Sequence, residues 1–507
     1  MIATLKKMFK ARFRRVKNNK YSRLKGNGYH LSGINNYVIL FYIILISAFI
    51  VRTVNLNYNS AFNDEAIYIV IGRMGLFASD WWSYGARLWM AGLPYIYPTL
   101  SALAYQTGGL VGSRFLNVIF GVILVEEVYR FTNLLNLFDK RTNTVASLIA
   151  VFLAAFSGIG IFVSKLATYD MASFLLLIVG INCFLKAKYF LNGKYYFLAF
   201  LCLFAAFLTK IIIAVFFPIL LVISFFITRT RSTQHKKLAF TYLYALSFLG
   251  VALYFYFYRD NLITYILTHN NLGKAEDYLS IPSLIWREAK IPLILLLPAA
   301  FMLVKANKTK ALVALIALSA IIPVFHLALF RYATLDKHMY LTIIFLSIIA
   351  GYGSSLIILS KNKLVAITAK GLLPLVAFLY LVNSYQVLYD HEHDWKNTAS
   401  LQSYLRQNVK PGDKVLTEEG GAVIFALYDK VFPPVNIVTF DWIDYSGLKD
   451  NRGYLQAITD VYFDYIELDE EFVGNDSLKS EIRQNLSANY SLINKQDSFE
   501  IYEKNEK

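Results

Sequence analysis

The amino-acid sequence predicts a polytopic α-helical membrane protein with a small α/β domain at its carboxyl end. Of the 507 residues, 57% are hydrophobic and only 17% are charged, a composition typical of chains that cross a bilayer repeatedly. Charge divides unevenly: residues 1–389 hold 38 Lys and Arg against 12 Asp and Glu, whereas residues 390–507 hold 12 against 22. We therefore predict a basic membrane part followed by an acidic soluble part.

The first 36 residues carry ten basic side chains and no acidic one. A cleavable signal peptide fits this segment poorly, because the basic region is long and no small-residue cleavage site follows the first apolar run. A cytoplasmic tail attracted to anionic lipid headgroups fits better. The other basic residues fall mostly in short loops between apolar runs, so the high net charge does not indicate nucleic-acid binding. Residues 1–36 are predicted to lie inside the cell.

Eleven apolar runs, two of them short, approach the roughly 20 residues that are needed to cross a bilayer. If the amino terminus is inside, each alternate loop is rich in basic residues and nearly free of acidic ones, as the positive-inside rule requires of cytoplasmic loops. This alternation places the long loop 55–113, the loop 259–288 and residues 389–507 outside. The membrane domain is then 37–388, and the runs lie near 37–54, 114–134, 143–163, 170–187, 195–209, 211–228, 238–258, 289–304, 311–330, 338–359 and 371–388.

The acidic part, residues 389–507, alternates helical and strand patterns. Residues 396–408 have the pattern of a helix that ends before a Pro-Gly pair. Three short apolar runs, at 415–416, 462–468 and 499–503, are typical of strands. No glycine-rich phosphate loop or nucleotide fingerprint occurs in this part. We predict a small external α/β domain.

Acidic side chains at two places on the predicted external face could carry chemistry. Asp64 and Glu65 follow the first span, and Asp170 stands at the outer end of the fourth. Each aspartate also has a structural interpretation, as a solvated charge or as a helix cap. Carboxylates beside a bilayer are costly enough to need a reason, and Asp64 would be a natural general base. Glu65 would then support Asp64 or begin a helix along the membrane interface, over residues 65–76.

Basic and imidazole side chains also occur on this face, where the positive-inside rule does not predict them. They are Lys210, Arg331, Lys337 and His338. A lone external lysine is more often a side chain that snorkels to the interface than a ligand contact. Several of them opposite two carboxylates would suit a site that binds an anionic leaving group and activates a hydroxyl.

Metal binding stays open on the sequence alone. The run His391-Glu392-His393-Asp394 follows the last span and could bind a metal, but it fits a polar collar beside the membrane better. His269, in the loop 259–288, has no partner nearby in the sequence and is either structural or substrate-facing.

Six short motifs, taken in order, resemble the C-type glycosyltransferases (GT-C), which use lipid-linked sugars. The likeness is to the branch that contains protein O-mannosyltransferases, lipid A aminoarabinose transferase and bacterial phospholipid-carrier-dependent relatives. It covers about residues 40–355 and implies a GT-C-like fold. The motifs are Asn63-Asp64-Glu65-Ala66-Ile67-Tyr68, Tyr95-Ile96-Tyr97-Pro98-Thr99-Leu100, Gly108-Gly109 with Ser113-Arg114-Phe115, Ala167-Thr168-Tyr169-Asp170, Leu208-Thr209-Lys210 and Leu335-Asp336-Lys337-His338.

The resemblance implies a role for individual residues. The implied catalytic residues are Asp64 as base, Glu65 and Asp170. The implied donor-phosphate ligands are Lys210, Arg331 and Lys337, and further substrate contacts are implied at Tyr68, Tyr97, Arg114, His269 and His338. Many relatives carry Lys-Pro-Pro where this chain has Tyr97-Pro98-Thr99. Another cation must therefore replace the missing lysine, or the donor is held differently.

The implied reaction is one inverting displacement on a polyprenyl-phosphate sugar by a hydroxyl of a glycan, lipid or protein. It would take place at the external face of a plasma membrane. The chain would be a multi-pass membrane protein of a prokaryote. A divalent cation would match some relatives, although no metal-ligand motif in the sequence demands one. Two alternatives stay open. One is a transporter or flippase of lipid-linked sugars, for which we expect ionisable residues inside spans and an internal repeat, and see neither. The other is a non-catalytic scaffold of the cell envelope.

Overall fold

The computed structural model describes residues 36–82, 90, 92–189, 193–228, 245, 249–250, 252–253, 256, 279–431, 436–440, 443–471, 476–486 and 489–505. The predicted amino-terminal tail, most of the span at 238–258 and most of the loop 259–288 lie outside these residues. The helices of the membrane part are α1 (Asn36–Thr53), α2 (Asn63–Ala78), α3 (Tyr97–Leu135), α4 (Lys140–Ala155), α5 (Gly158–Lys165), α6 (Tyr169–Tyr189), α7 (Gly193–Thr209), a 3₁₀ turn (Ile211–Val215), α8 (Phe216–Thr228), α9 (Ser280–Lys305), α10 (Thr309–Ala328), α11 (Leu335–Ile358) and α12 (Lys363–Glu392).

Six of the described helices are long and apolar enough to cross a membrane, namely α1, α3, α6, α10, α11 and α12. The bent pair α4 and α5, which meet at 59°, makes a seventh if the pair is one span. Helices α7 and α8 are apolar but shorter, and α9 carries three charged side chains in its first half. The helical membrane fold with a small sheet is therefore present, whereas the predicted count of eleven spans is not confirmed.

Helix α11 lies at the centre of the membrane part and is buried over most of its length. Glycines allow its neighbours to approach closely, as is common between membrane helices. A Cβ added at Gly351 would lie 2.4 Å from the carbonyl oxygen of Ala146 in α4, and one at Gly353 would lie 2.2 Å from the Cα of Ala299 in α9. This packing on both sides fixes α11, and with it the first turn of α11, where the candidate site begins.

Two breaks shape the helices around that site. Helix α3 is interrupted at Gly108 and Gly109, and Gly109 has a φ of +60°, which glycine adopts without strain. The predicted span at 114–134 is the part of α3 after this break. Helix α4 ends before Ser157, whose hydroxyl accepts a hydrogen bond from Gly160 N and caps α5.

The predicted interfacial helix at 65–76 is present as α2 and extends over Asn63–Ala78. Most of its residues are buried, because α2 is packed between α3 and a helix of the carboxyl-terminal domain. It therefore has protein on both sides and does not lie on the membrane surface alone.

The carboxyl-terminal part is an α/β domain built on a five-stranded sheet in the order β2-β1-β3-β5-β4. Strand β1 pairs in parallel with β2 and β3, and β5 pairs antiparallel with β3 and β4. The three predicted strands are present, and the predicted helix begins three residues later than expected. Its elements are α13 (Ala399–Asn408), β1 (Val415–Thr417), α14 (Gly420–Leu427), β2 (Ile437–Thr439), α15 (Asn451–Thr459), β3 (Tyr465–Asp469), α16 (Asp476–Leu486), β4 (Tyr490–Gln496) and β5 (Phe499–Lys504).

A buried carboxyl group at the centre of this sheet makes the stability of the domain depend on pH. Glu467 of β3 is fully buried, and its Oε2 accepts hydrogen bonds from Thr417 Oγ1 at 2.7 Å and from the backbone N–H groups of Glu418 and Glu419. Burial raises the pKa of Glu467 to about 8, and burial with the charge of Asp469 raises the pKa of Glu419 to about 7. Both values lie above the ordinary glutamate pKa.

We expect the domain to lose stability as pH rises from about 4.5 to about 8. In that window the folded domain holds protons that the unfolded chain has released. The free energy of unfolding then falls by about 1.4 kcal/mol per pH unit for each such proton. Thermal unfolding of the full-length protein in detergent at pH 5.5, 7 and 8.5 measures the slope of stability against pH. Glu467→Gln should flatten it, and Glu471→Gln, which changes an exposed carboxylate of the same domain, should not. Equal slopes in the two variants would contradict the assignment.

Candidate active site

The first element of the site is an ion pair between α2 and α11. Asp64 lies in the first turn of α2, and its Oδ2 accepts a hydrogen bond from Lys337 Nζ at 2.7 Å. The Lys337 side chain is 6% exposed and that of Asp64 is 31% exposed. The Lys337 ammonium also lies 4.3 Å from the centre of the Phe62 ring. Asp64 is therefore a lysine-paired carboxylate that solvent or a ligand can reach.

The second element is a buried ion pair between Asp170 and Lys210. Asp170 lies in the first turn of α6, and Lys210 follows α7 and begins the 3₁₀ turn. Lys210 Nζ donates to Asp170 Oδ1, and Thr168 Oγ1 donates to Asp170 Oδ2 at 2.9 Å. The Lys210 ammonium lies 4.8 Å from the ring centre of Tyr169. Both members are nearly inaccessible, so Asp170 can shape the field of the site more readily than it can exchange protons with a ligand.

Glu65 and Arg114 form a third pair, in which neither side chain is exposed. Glu65 Oε1 accepts from Arg114 Nε at 2.9 Å and from Ala167 N at 2.6 Å, and Glu65 Oε2 accepts from Arg114 Nη2 at 2.7 Å and from Phe62 N at 2.8 Å. The bond to Phe62 N caps α2, and the bond to Ala167 N ties α2 to the loop before Asp170. Glu65 thus caps the helix that carries Asp64, and both of its oxygens are bonded to the chain itself.

The structure contradicts the implied substrate contact at Arg114. Besides Glu65, the guanidinium donates to the carbonyl oxygens of Leu56, Asn59 and Ser60. These bonds use all five of its N–H groups. Arg114 is therefore a structural residue that closes the turn between α1 and α2.

The implied substrate contacts at Tyr68 and Tyr97 are also corrected. Tyr97 has no exposed surface and Tyr68 is 2% exposed. The Tyr68 ring packs on Tyr169 with centres 4.5 Å apart and meets Tyr97 edge to face at 6.4 Å. Burial raises the pKa of Tyr68 well above its usual range. These three rings therefore pack against one another in the core.

A histidine pair lies next to Lys337 on α11. His338 Nδ1 is 3.0 Å from His326 Nε2 of α10, and His326 Nδ1 is 2.8 Å from the carbonyl oxygen of Arg331. The Arg331 contact requires a proton on His326 Nδ1, so His326 Nε2 accepts from His338 Nδ1 when both rings are neutral. His338 Nε2 is buried and has no partner among the described residues. His326 carries no motif and could not be found from the sequence.

Other sequence candidates are placed elsewhere or fall outside the described residues. His269 is among the residues that are not described. The run 391–394 does not converge on one point: His391 Nε2 lies 3.1 Å from Glu288 Oε1, Glu392 pairs with Lys165, and His393 Nδ1 lies 2.8 Å from the carbonyl oxygen of Tyr389.

Among the described residues, the side chains of the site do not form a donor set for a divalent cation. Asp64 and Asp170 are each paired with a lysine, and no group of three or more His, Cys, Asp or Glu side chains within the described part of the chain could hold a metal. The chemistry that the site offers is instead a partly exposed carboxylate paired with Lys337, whose charge also interacts with Asp170 of the buried pair. Such a set can accept a proton from a hydroxyl and stabilise an anionic leaving group.

The sequence matches no protein-family model and no curated protein. The structure is similar to that of ArnT from Cupriavidus metallidurans bound to undecaprenyl phosphate, with a TM-score of 0.64, 13% identity and coverage of 93% of this chain and 98% of that chain. It is also similar to the oligosaccharyltransferase AglB from Archaeoglobus fulgidus in complex with an inhibitory peptide and a dolichol-phosphate (TM-score 0.57, 12% identity, 90% of this chain and 74% of that chain). A third similar structure is the arabinofuranosyltransferase AftD from Mycobacteria (TM-score 0.53, 12% identity, 95% of this chain and 41% of that chain). These are GT-C glycosyltransferases, and the chain has the GT-C fold.

Proposed function

We propose that this chain, a GT-C protein by fold, is a membrane glycosyltransferase that moves a sugar from a polyprenyl-phosphate donor to a hydroxyl acceptor. The acceptor is a glycan, lipid or protein of the cell envelope. The reaction takes place on the external face, where the positive-inside rule puts Asp64 and the acidic domain. The neighbours support a lipid-phosphate donor, since ArnT is bound to undecaprenyl phosphate and AglB to a dolichol-phosphate.

The observation that carries this proposal is the meeting of Asp64 with Lys337 beside the buried pair of Asp170 and Lys210. These four residues come from four separate segments of the sequence and lie at the ends of α2, α11, α6 and α7. A transporter of lipid-linked sugars needs no base, and a scaffold needs neither a base nor cations. Carboxylates and cations that converge at helix ends are expected of a group-transfer site.

The mechanism follows from the geometry of Asp64. Lys337 occupies Oδ2, and Oδ1 makes no hydrogen bond to the described residues, so Oδ1 is the atom placed to take the proton of the acceptor hydroxyl. The acceptor oxygen then forms a bond to the anomeric carbon as the bond from that carbon to the phosphate oxygen breaks. The electron pair leaves with polyprenyl phosphate, whose added negative charge Lys210, Lys337 and Arg331 stabilise. One displacement inverts the anomeric configuration.

Deletion of the gene in its source organism tests the function in the cell. We expect mass spectrometry of the cell-surface glycans, lipids and proteins to show the loss of one sugar substituent. Expression of the wild-type chain should restore it, and expression of Asp64→Asn at the same membrane level should not. An unchanged envelope, or full restoration by Asp64→Asn, would contradict the proposal. Accumulation of a lipid-linked sugar on the inner face alone would favour the transporter.

A further inference from the structure

The external domain makes direct contacts with the short segment that precedes Asp64. Thr398 donates from its backbone N–H to Ser60 Oγ at 2.9 Å, and the two hydroxyl groups lie 3.1 Å apart. Asn59 Nδ2 donates to the carbonyl oxygen of Trp395 at 2.8 Å, and Trp395 Nε1 donates to that of Ser60 at 3.3 Å. The polypeptide that leaves α12 is therefore bonded to the turn from which α2 begins.

A line of side chains continues this contact to the candidate base. The Trp395 ring meets the Phe62 ring edge to face, with centres 5.1 Å apart. The Phe62 ring also contacts the Lys337 ammonium, which lies 4.3 Å from the ring centre. Lys337 in turn donates to Asp64 at 2.7 Å. Displacing Trp395 would thus free Phe62 and loosen the Asp64–Lys337 pair.

The side-chain amide of Asn63 packs against the backbone of Gly421 and adds a second and independent contact. A Cβ added at Gly421 of α14 would lie 1.8 Å from Asn63 Oδ1 and 2.9 Å from Asn63 Cγ. Asn63 is the first residue of α2 and adjoins Asp64. Gly420, the residue before Gly421, faces the external domain itself, because a Cβ there would lie 2.6 Å from Thr439 Cγ2. Two adjacent glycines therefore separate the contact with the membrane part from the packing within the domain.

We propose that the external domain is a structural part of the active site, and that Gly421 and Trp395 are positioning residues that hold Asp64 against Lys337. This inference rests on the proposed function for the reaction that the positioning serves. Neither residue touches the reacting atoms. Each acts on the start of α2, where a displacement of about 1 Å can lower a rate roughly a hundredfold.

The test uses Gly421→Ala and its relief by Asn63→Ala, which removes the colliding amide. In the full-length protein, Gly421→Ala is expected to lower kcat about 10- to 100-fold with a smaller change in donor KM. The double variant Gly421→Ala/Asn63→Ala should recover the activity of Asn63→Ala alone. Gly420→Ala should not be rescued by Asn63→Ala, because its added methyl group collides with Thr439. Gly371→Ala, where no atom lies within 4 Å of the new Cβ, is the neutral control.

Hydrogen exchange measures the positioning without relying on activity. Peptides covering residues 60–68 are expected to exchange faster in Gly421→Ala and to return to the wild-type rate in the double variant. If Gly421→Ala does not fold, Trp395→Leu should give the same faster exchange. Unchanged exchange at 60–68, or a loss in Gly421→Ala that Asn63→Ala does not relieve, would overturn the inference. Absence of transfer in the wild type together with the expected exchange pattern would instead count against the proposed function alone.

Discussion

Asp64→Asn is expected to lower the rate of sugar transfer by about 10²- to 10⁴-fold, the usual contribution of a general base. The amide has the shape of the carboxylate and can still accept a hydrogen bond from Lys337. It cannot take the proton of the acceptor hydroxyl, because a neutral amide is a very weak base. The expected pattern is a fall in kcat with little change in donor KM, since Asp64 acts on the acceptor in the transition state.

A control at Asp336 separates loss of the base from loss of a nearby charge. Asp336 lies in the first turn of α11 beside Lys337, and it forms no salt bridge among the described residues. Asp336→Asn should therefore retain transfer within about threefold of wild type. Rates are measured on purified protein, after thermal unfolding shows that both variants are folded. Equal losses of transfer rate in Asp64→Asn and Asp336→Asn would contradict the assignment of Asp64 as the base.

The largest expected effect on stability comes from Arg114→Ala. Removing the guanidinium leaves the Glu65 carboxylate buried without its charge partner. It also takes one donor from each of the carbonyl oxygens of Leu56, Asn59 and Ser60, of which Ser60 keeps a second donor, Trp395 Nε1. Breaking one side of a buried ion pair costs about 3–5 kcal/mol. We therefore expect little folded protein in the membrane fraction, and a large fall in the unfolding temperature of what is recovered.

Arg452 provides a control with an exposed ion pair. Its guanidinium pairs with Asp450, and the two side chains are 75% and 53% exposed. An exposed pair contributes little to stability, so Arg452→Ala should leave the unfolding temperature nearly unchanged. Similar effects of Arg114→Ala and Arg452→Ala would contradict the view that burial makes the Glu65–Arg114 pair essential for the turn before α2.

Some of the charged residues that the sequence singled out form the candidate site, and others stabilise the chain around it. Asp64 and Asp170 each lie opposite a predicted phosphate ligand, Lys337 and Lys210. Loop charge alone suggests that such residues share a face, because the positive-inside rule gives their side of the membrane. The rule does not show how deeply each side chain is buried in the protein. Arg114 belongs to the same set of motifs as these residues, yet it is wholly buried and all of its N–H groups donate to the chain itself.

The remaining parts of the site depend on contacts between residues that lie far apart in sequence. The Gly421–Asn63 approach joins positions more than 350 residues apart, and nothing in either local pattern predicts it. His326 looks like an ordinary polar residue of an apolar helix until His338 is placed beside it. Tyr97 resembles a ligand contact in its loop motif, but the helix that begins there turns its ring into the core.

The span count shows the limit of hydropathy as a guide. An apolar run is predicted as one straight crossing, whereas the run at 143–163 is divided between α4 and α5, which bend by 59°. Ser157 and Gly158 lie at this bend and change the direction of the backbone while the run around them stays apolar. The small domain was easier to predict, since alternating short apolar runs in an acidic segment indicate strands directly.

The central claim is that this chain breaks the bond between the sugar and a polyprenyl phosphate with Asp64 as base, and ³¹P NMR on the reconstituted protein measures this directly. Polyprenyl phosphate esters of a panel of hexoses and pentoses are supplied with an envelope extract as acceptor source. For the accepted donor, we predict that the phosphodiester resonance is replaced by that of a phosphate monoester as sugar transfer proceeds, and that Asp64→Asn slows this at least about a hundredfold. Persistence of the phosphodiester with every donor, or monoester formation at the same rate in Asp64→Asn, would contradict the account.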